Sequence, residues 1–415
     1  MATVLLIGTL DTKGPETAYL RDRVRALGCD ALTLDSGILG EAIGIEPDFN
    51  RRDTAKAAGS DLDAIRNSGS RGKAVEEMLK GVRNIALRLA SEKKIHGIAS
   101  LGGAEGAVLA AAAMKVLPVG LPKLIVCPLA SGHRKFGPFI GTKDIMVMHS
   151  VVDILGINDV SKMIYDNAAG AIAGMAKSYE SNQKVAQASL AVNRKSIAAT
   201  MLGNTTKPIQ HVIKPALEKA GYDLVIFHAN GVGGPAMEEL IEAGKFAGVL
   251  DYTLSEVAGQ IAGGFHIGGA TRMDAAGKAG LPQVVVPGCL DFVAVGAKHE
   301  IPEMFRGRPT YYHNPEFTLV RLTKDEQLAA VRFVADKVNS AKGKVSVVFP
   351  MRGGSIMENA NGGNFWDADI IAASREEFRS RLNKNVTYRE VDAHINDDAF
   401  ANEVLKEMLR VMEGR

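Results

Sequence analysis

The chain has few of the residues that mark secreted, disulfide-rich or zinc-binding proteins. Its 415 residues include three cysteines, Cys29, Cys127 and Cys289, which lie far apart and form no Cys-x-x-Cys pair. This spacing argues against a disulfide framework and against a cysteine-based zinc site. It predicts buried thiols in a reducing compartment, and we therefore expect a cytoplasmic location.

The chain also lacks a strong charge of either sign and long apolar runs. Its formal net charge is +2, so overall charge gives no support for binding to nucleic acid or to an anionic membrane. No apolar run reaches the roughly 20 residues that a membrane-spanning helix needs. The first residues, MATVLLIG, resemble a short buried strand and not a signal peptide. We expect neither nucleic acid nor membrane as a partner.

The residues that are present describe a globular protein of more than one domain. Hydrophobic residues make up 46% of the chain and charged residues 23%, which is typical of a folded, soluble protein. A chain of 415 residues is too long for one ordinary core, and two to three domains are expected.

Short aliphatic runs alternate with longer helical patterns in the first half of the chain. Continuous apolar strands with helices between them are typical of parallel sheets covered on both faces. We therefore predict the α/β class with Rossmann-like, mainly parallel sheets. The predicted strands are 3–8, 29–35, 95–103, 123–129 and 143–150.

The second half repeats this plan. LEKAGYDLVIFH (217–228) matches VRALGCDALTLD (24–35), and GLPQVVVPG (280–288) matches GLPKLIVCP (120–128). These echoes occur in the same order, which favours an internal duplication. The polar stretch between the halves predicts two α/β subdomains, residues 1–185 and 195–415. Ligand sites are expected at the carboxyl ends of the strands and in a cleft between the subdomains.

The stretch LLIGTLDTKGPE (5–16) is a strand that runs into a polar turn and then a helix. Backbone N–H groups at the start of a helix hold phosphate or carboxylate groups, and Lys13 adds a positive charge. Asp11 would repel a bare phosphate, so it suits a magnesium ion or a ribose hydroxyl better. A plain strand-to-helix turn with Asp11 as a cap is an equally good interpretation of this stretch alone.

Two further glycine-rich turns follow predicted strands. SLGGAEGAVLAAAAM (100–114) contains a pair of glycines before an Ala-rich helix, and HANGVGGPAMEEL (228–240) contains three glycines before a Pro at a first helical turn. Glycine permits close approach of the backbone to a ligand. An anion at the start of the second helix is the favoured interpretation, whereas the first turn is weak support for a phosphate site.

Two more loops carry candidate contacts. The loop ASGHRKFGPFIGTKDI (130–145) follows a predicted strand and is either a solvated basic loop or part of the same site. The late loop PMRGGSIMENANGG (350–363) resembles an anion-binding turn, although an ordinary contact loop has a similar composition. No histidine spacing supports a metal site formed by the protein alone, and no Gly-x-Ser-x-Gly motif indicates a nucleophile.

Taken together, the loops give a set of predicted nucleotide contacts. These are Gly8, Thr9, Asp11, Thr12, Lys13, Gly102, Gly103, Ser131, Gly132, Thr142, Asp144, Gly231, Gly233, Gly234, Arg352, Gly353, Gly354 and Ser355.

Several of these stretches resemble a known family. IGTLDTKGPE, HSVVDILGINDVSKMIYDNAAGA and FHANGVGGPAMEELIEAGKFAGVLDYTLSEVA are similar to the ATP-binding domain family that includes the N-terminal domain of the tomato mosaic virus resistance protein and its bacterial relatives. The resemblance covers nearly the whole chain. It implies two α/β subdomains, ATP with Mg²⁺ as ligand, and a homodimer.

The chain departs from the family pattern in two loops. The family turn commonly reads Gly-Gly-Ser-Gly-Gly-Thr, whereas Gly102 and Gly103 are followed here by Ala-Glu-Gly-Ala. The late loop has Glu358 where relatives tend to have an Asp after Gly-x-Ser-x-x. The first difference places a negative charge near a possible phosphate position.

Three functions remain open on the sequence. The first is an ATP-binding α/β protein whose reaction is unassigned. The second is a metabolic enzyme that acts on a small carboxylate or sugar acid in the interdomain cleft, with Arg272, Arg352 and Ser355 holding the carboxylate. The third is a scaffold that acts through its surface in protein interactions.

Overall fold

The computed structural model describes residues 1–128, 137–188 and 195–414. The chain divides into two compact units, Met1–Ala191 and Val192–Arg415. Each unit is built on its own mainly parallel sheet, which confirms the predicted α/β class.

The first unit alternates strands and helices. Its strands are β1 (Thr3–Gly8), β2 (Asp30–Asp35), β3 (Gly97–Leu101), β4 (Lys123–Cys127) and β5 (Ile145–His149). Its helices are α1 (Leu10–Ala26), α2 (Arg51–Ala57), α3 (Leu62–Arg66), α4 (Arg71–Ser91), α5 (Ala104–Val116), α6 (Gly137–Ile140) and α7 (Asp159–Ala188).

All five strands of the first unit are parallel, in the order β2-β1-β3-β4-β5. Apolar side chains from both faces of the strands are buried, as expected for a sheet with helices on both sides. Leu5 and Ile7 belong to the core that includes α4 and α5, whereas Val4 and Leu6, on the opposite face of β1, belong to the core that includes α1 and α7.

Nine strands lie in the described part of the second unit. They are β6 (Lys195–Met201), β7 (Tyr222–His228), β8 (Gly248–Asp251), β9 (Gln283–Val285), β10 (Phe292–Val295), β11 (Thr310–Asn314), β12 (Phe317–Arg321), β13 (Val345–Pro350) and β14 (Val386–Val391). Its helices are α8 (Thr206–Pro208), α9 (Lys214–Lys219), α10 (Gly233–Glu242), α11 (Ser255–Ala262), α12 (Asp274–Ala279), α13 (Lys324–Asn339), α14 (Ala368–Arg381) and α15 (Asp398–Met412). A π-helical segment, Ile209–Ile213, joins α8 to α9.

Six of these strands form a parallel sheet in the order β14-β13-β9-β8-β6-β7. The other three form a small antiparallel sheet in the order β10-β12-β11, which the sequence patterns did not anticipate. Helix α13 begins with a capping box in which Thr323 and Glu326 satisfy each other's backbone N–H groups.

The two parallel sheets share one topology. Counting strands within each unit, both place the second strand outside the first, with the third, fourth and next parallel strands on the other side: β2-β1-β3-β4-β5 and β7-β6-β8-β9-β13. This is the doubly wound order 2-1-3-4-5, in which the chain changes direction across the sheet between the first and third strands. In such sheets, ligands bind outside the carboxyl ends of the strands at that switch point.

A helix that crosses a bilayer must be both long and apolar. Among the described residues, no helix combines the length and the apolar character needed to cross a membrane.

Candidate functional site

A cavity of about 610 Å³ opens at the carboxyl edge of the sheet in the first unit. It lies at the ends of three adjacent strands, β2, β1 and β3, and therefore at the switch point of this sheet. A volume of this size lies within the range of ligand pockets. The lining residues are Thr9, Asp11, Thr12, Lys13, Gly37, Ile38, Leu39, Arg66, Ser70, Ala74, Gly103 and Gly106.

The turn after β1 contributes four of the predicted contacts. Its first residues form one helical turn, in which the N–H groups of Thr12 and Lys13 donate to the Thr9 carbonyl at 3.1 and 2.8 Å. Lys13 has non-helical torsion angles (φ −125°, ψ 20°), and Pro15 follows directly after Gly14 in the next turn of α1. The Lys13 ammonium donates to the Ile154 carbonyl while its side chain lines the cavity.

Gly8 is the last residue of β1 and does not line the cavity. A Cβ atom there would lie 2.8 Å from Thr17 Oγ1, so the glycine lets α1 pack closely on the strand. In this structure, Gly8 therefore serves the packing of α1 on β1.

The turn after β3 brings helix α5 to the cavity. Gly103 is the N-cap residue of α5 and has no side chain with which to cap the first turn. Gly102 packs directly on the helix, because a Cβ there would lie 2.9 Å from Gly106 Cα. At Gly106 the position of a Cβ is open, with only the Leu101 carbonyl oxygen at 4.0 Å. Gly103 and Gly106 therefore leave their side of the helix start open to the cavity.

The segment after β2 forms a third wall, which the sequence analysis missed. The buried carboxylate of Asp35 accepts hydrogen bonds from the N–H groups of Leu10 (3.1 Å) and Gly37 (2.8 Å). Burial raises the pKa of Asp35, and the nearby charge of Asp11 acts in the same direction. One carboxylate thus fixes both the start of α1 and the path of the segment that carries Ile38.

Asp11 and Arg66 hold the rest of this segment. The Gly40 N–H donates to Asp11 Oδ2 at 3.0 Å. Arg66 Nε donates to the Ile38 carbonyl at 2.8 Å, and Arg66 Nη2 donates to the Leu39 carbonyl at 2.7 Å. The sequence signal that was available is DSGILG (35–40), a glycine-containing tract directly after a predicted strand.

The end of the loop before β5 lies toward the opposite edge of the sheet from the cavity. Asp144 precedes the first residue of β5, and that residue pairs with Lys123 at the first residue of β4, so Asp144 and the neighbouring Thr142 lie toward the amino edge of the sheet. Asp144 accepts hydrogen bonds from the buried ammonium of Lys123 (2.7 Å) and from the Gly120 N–H (2.8 Å). The predicted contacts Ser131 and Gly132 lie outside the described residues.

In the second unit, the turn after β7 already holds an anion supplied by the chain. The N–H groups of Gly231 and Gly234 donate to Oε1 of Glu256 at 2.8 and 2.9 Å. A Cβ at Gly233 would lie 2.0 Å from the His228 carbonyl oxygen, so this glycine serves the tight turn. Two of the three glycines therefore hold a carboxylate, as the pattern of the turn suggests, but this carboxylate belongs to the chain itself.

Glu256 belongs to a closed ionic network around the fully buried Arg272. The guanidinium donates to Glu256 (2.9 Å), to both oxygens of Asp251 (2.7 Å each) and to Glu238 (3.1 Å). Burial raises the pKa of Glu238, while the charge of Arg272 opposes that shift. Arg272 is thus held by three carboxylates of its own unit.

The late loop also contacts internal carboxylates. Arg352 forms a bidentate ion pair with the exposed Asp392, at 2.8 and 3.0 Å. Ser355 Oγ donates to the buried Asp291 at 2.7 Å, and the Gly354 N–H donates to Glu358 at 3.1 Å.

Gly353 completes this turn. It has φ +119°, and a Cβ there would lie 1.6 Å from the Glu358 carbonyl oxygen. The turn therefore requires glycine, and its backbone closes on Glu358.

The switch point of the second unit is closed by hydroxyl groups. Thr205, which follows β6, and Thr253, which follows β8, share a hydrogen bond of 2.7 Å between their hydroxyls. The Thr253 N–H also donates to Thr200 Oγ1 at 3.0 Å. The equivalent turns of the first unit border the cavity, so the two units differ at this position. Within the described ranges, no group of three or more His, Cys, Asp or Glu side chains is placed to hold a metal ion.

The Glu256 network predicts that Gly234→Ala destabilises the second unit. The new Cβ would lie 1.8 Å from Glu256 Oε2 and 2.4 Å from Arg272 Nε, so it would separate a buried ion pair. We expect the free energy of unfolding to fall by about 3 kcal/mol, although Ala is normally the better helix former. Urea denaturation followed by fluorescence of Trp366, the single tryptophan, measures this unit. Gly203→Ala, where a Cβ meets nothing within 4 Å, is the control; equal stability of both variants would contradict the prediction.

A second prediction concerns acid stability. Burial lowers the pKa of His266 to about 4, helped by the charge of His228, and the His266 Nδ1 atom is buried without a hydrogen-bond partner in the described structure. An unfolded histidine has a pKa of about 6.5, so between pH 6.5 and 4 the unfolded chain binds more protons than the folded chain. Stability should therefore fall on acidification through this range.

His266→Gln removes this proton uptake. From pH 7 to 4.5, we expect the variant to lose about 2 kcal/mol less unfolding free energy than the wild type, measured by Trp366 fluorescence at each pH. Parallel stability curves for the two proteins would show that His266 does not titrate in this way.

Comparison with known proteins places the chain in a family. The N-terminal domain of the uncharacterised protein family UPF0261 matches residues 2–181, and its C-terminal domain matches residues 194–412. A UPF0261 protein of Clostridium tetani is 38% identical over 411 residues, which cover 99% of both chains. The ToMV susceptible protein tm-1 of Solanum lycopersicum is 34% identical over 98% of this chain and 55% of its own length.

Among solved structures, the chain is similar to MurG of Acinetobacter baumannii over 99% of its length and 100% of that chain. That likeness has 10% identity and a TM-score of 0.23, which is too low to support an argument. The matches to both family domains and to full-length relatives are sufficient to assign the family. The chain belongs to the uncharacterised protein family UPF0261.

Proposed function

We propose that the cavity of the first unit binds ATP together with Mg²⁺. The observation that carries this proposal is the meeting of two strand-to-helix turns at the switch point of the sheet, Thr9–Lys13 and Gly102–Gly106, beside one cavity. Doubly wound sheets bind nucleotides at this position. The proposal concerns binding, and no reaction is assigned to it.

The start of α5 and the turn after β1 suit the phosphates. The positive end of a helix dipole and its unpaired N–H groups attract anions, and α5 begins at the cavity with glycine as its N-cap residue. At α1, by contrast, the Leu10 N–H is already bonded to Asp35. At the start of α1, the positive charge comes instead from the ammonium of Lys13. We therefore place the phosphates between Lys13 and the first turn of α5.

The donor set beside Lys13 fits a magnesium ion that is bound with the nucleotide. Mg²⁺ is usually held by one or two carboxylates together with phosphate oxygens and water. Asp11 supplies one carboxylate, and the hydroxyls of Thr9 and Thr12 lie 3.2 Å from each other in the same turn. When bound, the ion would neutralise phosphate charge beside these groups.

The alternative of a small-carboxylate enzyme has less support from the contacts of its predicted residues. Arg272, Arg352 and Ser355 each contact a carboxylate of the chain itself, as described above. Arg272 is fully buried. These side chains are therefore not free to hold the carboxylate of a substrate in the described structure.

Removal of the Lys13 ammonium should weaken ATP binding. Isothermal calorimetry of Lys13→Ala with ATP and Mg²⁺ should give a Kd about tenfold higher than the wild type, equivalent to roughly 1.4 kcal/mol. Lys177→Ala is the matched control, because Lys177 also donates to one backbone carbonyl, that of Leu27, but does not line the cavity.

Two outcomes would count against the proposal. Unchanged affinity in Lys13→Ala would remove the turn after β1 from the site. The absence of both heat and a thermal shift with wild-type protein at millimolar ATP would contradict nucleotide binding altogether. Light scattering on the same samples tests the homodimer, which would have twice the 44.1 kDa mass of the chain.

Filling the cavity at Gly106 should separate binding from stability. Gly106→Leu directs a side chain toward the cavity, since the Leu101 carbonyl oxygen, at 4.0 Å, is the one described atom beyond the helix's own backbone that a Cβ there would approach. We expect ATP affinity to fall at least about 30-fold, while the melting temperature is unchanged or higher, because glycine is about 1 kcal/mol less favourable than good helix formers.

The control is Gly170→Leu on α7, where a Cβ meets nothing within 4 Å. It should gain similar stability and bind ATP like the wild type. Wild-type affinity in Gly106→Leu would show that the ligand does not occupy this cavity.

A further inference from the structure

One end of the cavity is apolar. Ile38 and Ala74 line it and belong to one buried cluster with Leu109 of α5, and the exposed Leu39 lies at its rim. Aliphatic walls of this kind contact the faces of a flat ring and make no hydrogen bonds to the polar atoms at its edge. If the proposed nucleotide has its phosphates at Lys13 and the first turn of α5, the rest of the cavity, including these walls, is left for its base. This inference therefore rests on the proposed function.

Arg66 provides hydrogen-bond donors at this end. Its Nε and Nη2 atoms donate to the carbonyls of Ile38 and Leu39, and its Nη1 atom lies 3.6 Å from Asp63. A guanidinium has five N–H groups and no acceptor, so N–H groups remain after these two bonds. The carbonyl oxygens of Ile38 and Leu39 accept these two bonds.

Ser70 offers a further donor. Its hydroxyl oxygen accepts the Lys73 N–H at 3.2 Å, as the N-cap of α4. The hydroxyl proton remains to be donated into the cavity that Ser70 lines. Among the described lining residues, Asp11 is the one with a carboxylate. It lies in the turn beside Lys13 and accepts a hydrogen bond from the Gly40 N–H.

The two common purines differ in what they need from such a site. Both have N7 as an acceptor, but adenine adds an amino donor where guanine has the acceptor O6. Donors such as Arg66 and Ser70 match N7 and O6, and arginine is a frequent bidentate partner of guanine. Among the described residues of the apolar end, Arg66 has no acceptor for the adenine amino group, and the Ser70 hydroxyl can either donate to O6 or accept from that amino group.

We propose that this site does not select adenine and accepts 6-oxopurine nucleotides at least as well. A site that hydrogen-bonds a distinguishing group rejects analogues that lack it by about 10⁴-fold or more, whereas apolar contacts discriminate by only about 10–200-fold. Among the described residues of this end, Arg66 cannot make the first kind of contact to an adenine amino group, and the Ser70 hydroxyl can contact that amino group and O6 equally well. The Kd for GTP is therefore equal to or lower than the Kd for ATP.

Calorimetry of the full chain with ATP, GTP and ITP, each with Mg²⁺, tests this. GTP and ITP binding with affinities equal to or above that of ATP supports the proposal. ATP binding with GTP more than about 30-fold weaker overturns it while leaving nucleotide binding intact. If no nucleotide binds, both the proposed function and this inference are rejected.

Arg66→Gln sharpens the test, because a glutamine carbonyl accepts from the adenine amino group and pairs with adenine bidentately. The ratio of GTP to ATP affinity should fall at least about fivefold in this variant. Arg52→Gln, at an exposed position of α2 that does not line the cavity, should leave the ratio unchanged. An unchanged ratio in Arg66→Gln overturns the assigned role of Arg66.

Tripolyphosphate serves as a probe without a base. Its affinity should be the same in the wild type and in Arg66→Gln, which shows that the variant is folded at the phosphate end. A parallel loss of tripolyphosphate binding would mean that Arg66 acts on the phosphates and would also overturn the proposal.

Discussion

The cavity of the first unit depends on the carboxylate of Asp35. This side chain ends β2 and accepts from Leu10, which begins α1, and from Gly37, which begins the wall segment. A buried carboxylate without such donors would be costly. Asp35 therefore ties the ends of two neighbouring strands together, and the remaining wall contacts, from Asp11 and Arg66, build on the path that it sets.

The two units share one topology but differ at the carboxyl edges of their sheets. In the second unit, donors that face the carboxyl edge are bonded to groups of the same unit: Glu256 at Gly231 and Gly234, and Glu358 at Gly354. Such pairing is expected for buried polar groups, which must find partners within the fold. In the first unit, by contrast, a Cβ at Gly103, in the turn after β3, would meet nothing within 4 Å. Repetition of a fold has thus not meant repetition of an open site.

Much of the fold was predictable because strands with two buried faces leave a clear aliphatic pattern. The turn at Thr9–Lys13 and Gly103 could be located for the same reason, since the ends of parallel strands lie on one edge. Asp144 could not be placed in this way. After β4 the chain must return to the amino edge before β5 begins, and by residue 144 it has already returned.

The groups that bind the glycine turns also could not be predicted from the sequence. Gly234 and Glu256 are 22 residues apart, and nothing local indicates that this carboxylate folds back onto these amides. The antiparallel sheet β10-β12-β11 was missed because its strands are short and one is partly exposed. Arg66 was missed because a single arginine at the end of a short helix has no distinctive pattern until its contacts are known.

The lining residues that the structure describes come from residues 9–106, which precede the second unit in the chain. During synthesis, N-terminal domains generally fold first. The order of translation therefore presents the elements of this cavity to the cell before the second unit has been made. A small molecule that binds there would act on the folding of a nascent chain as well as on the finished protein.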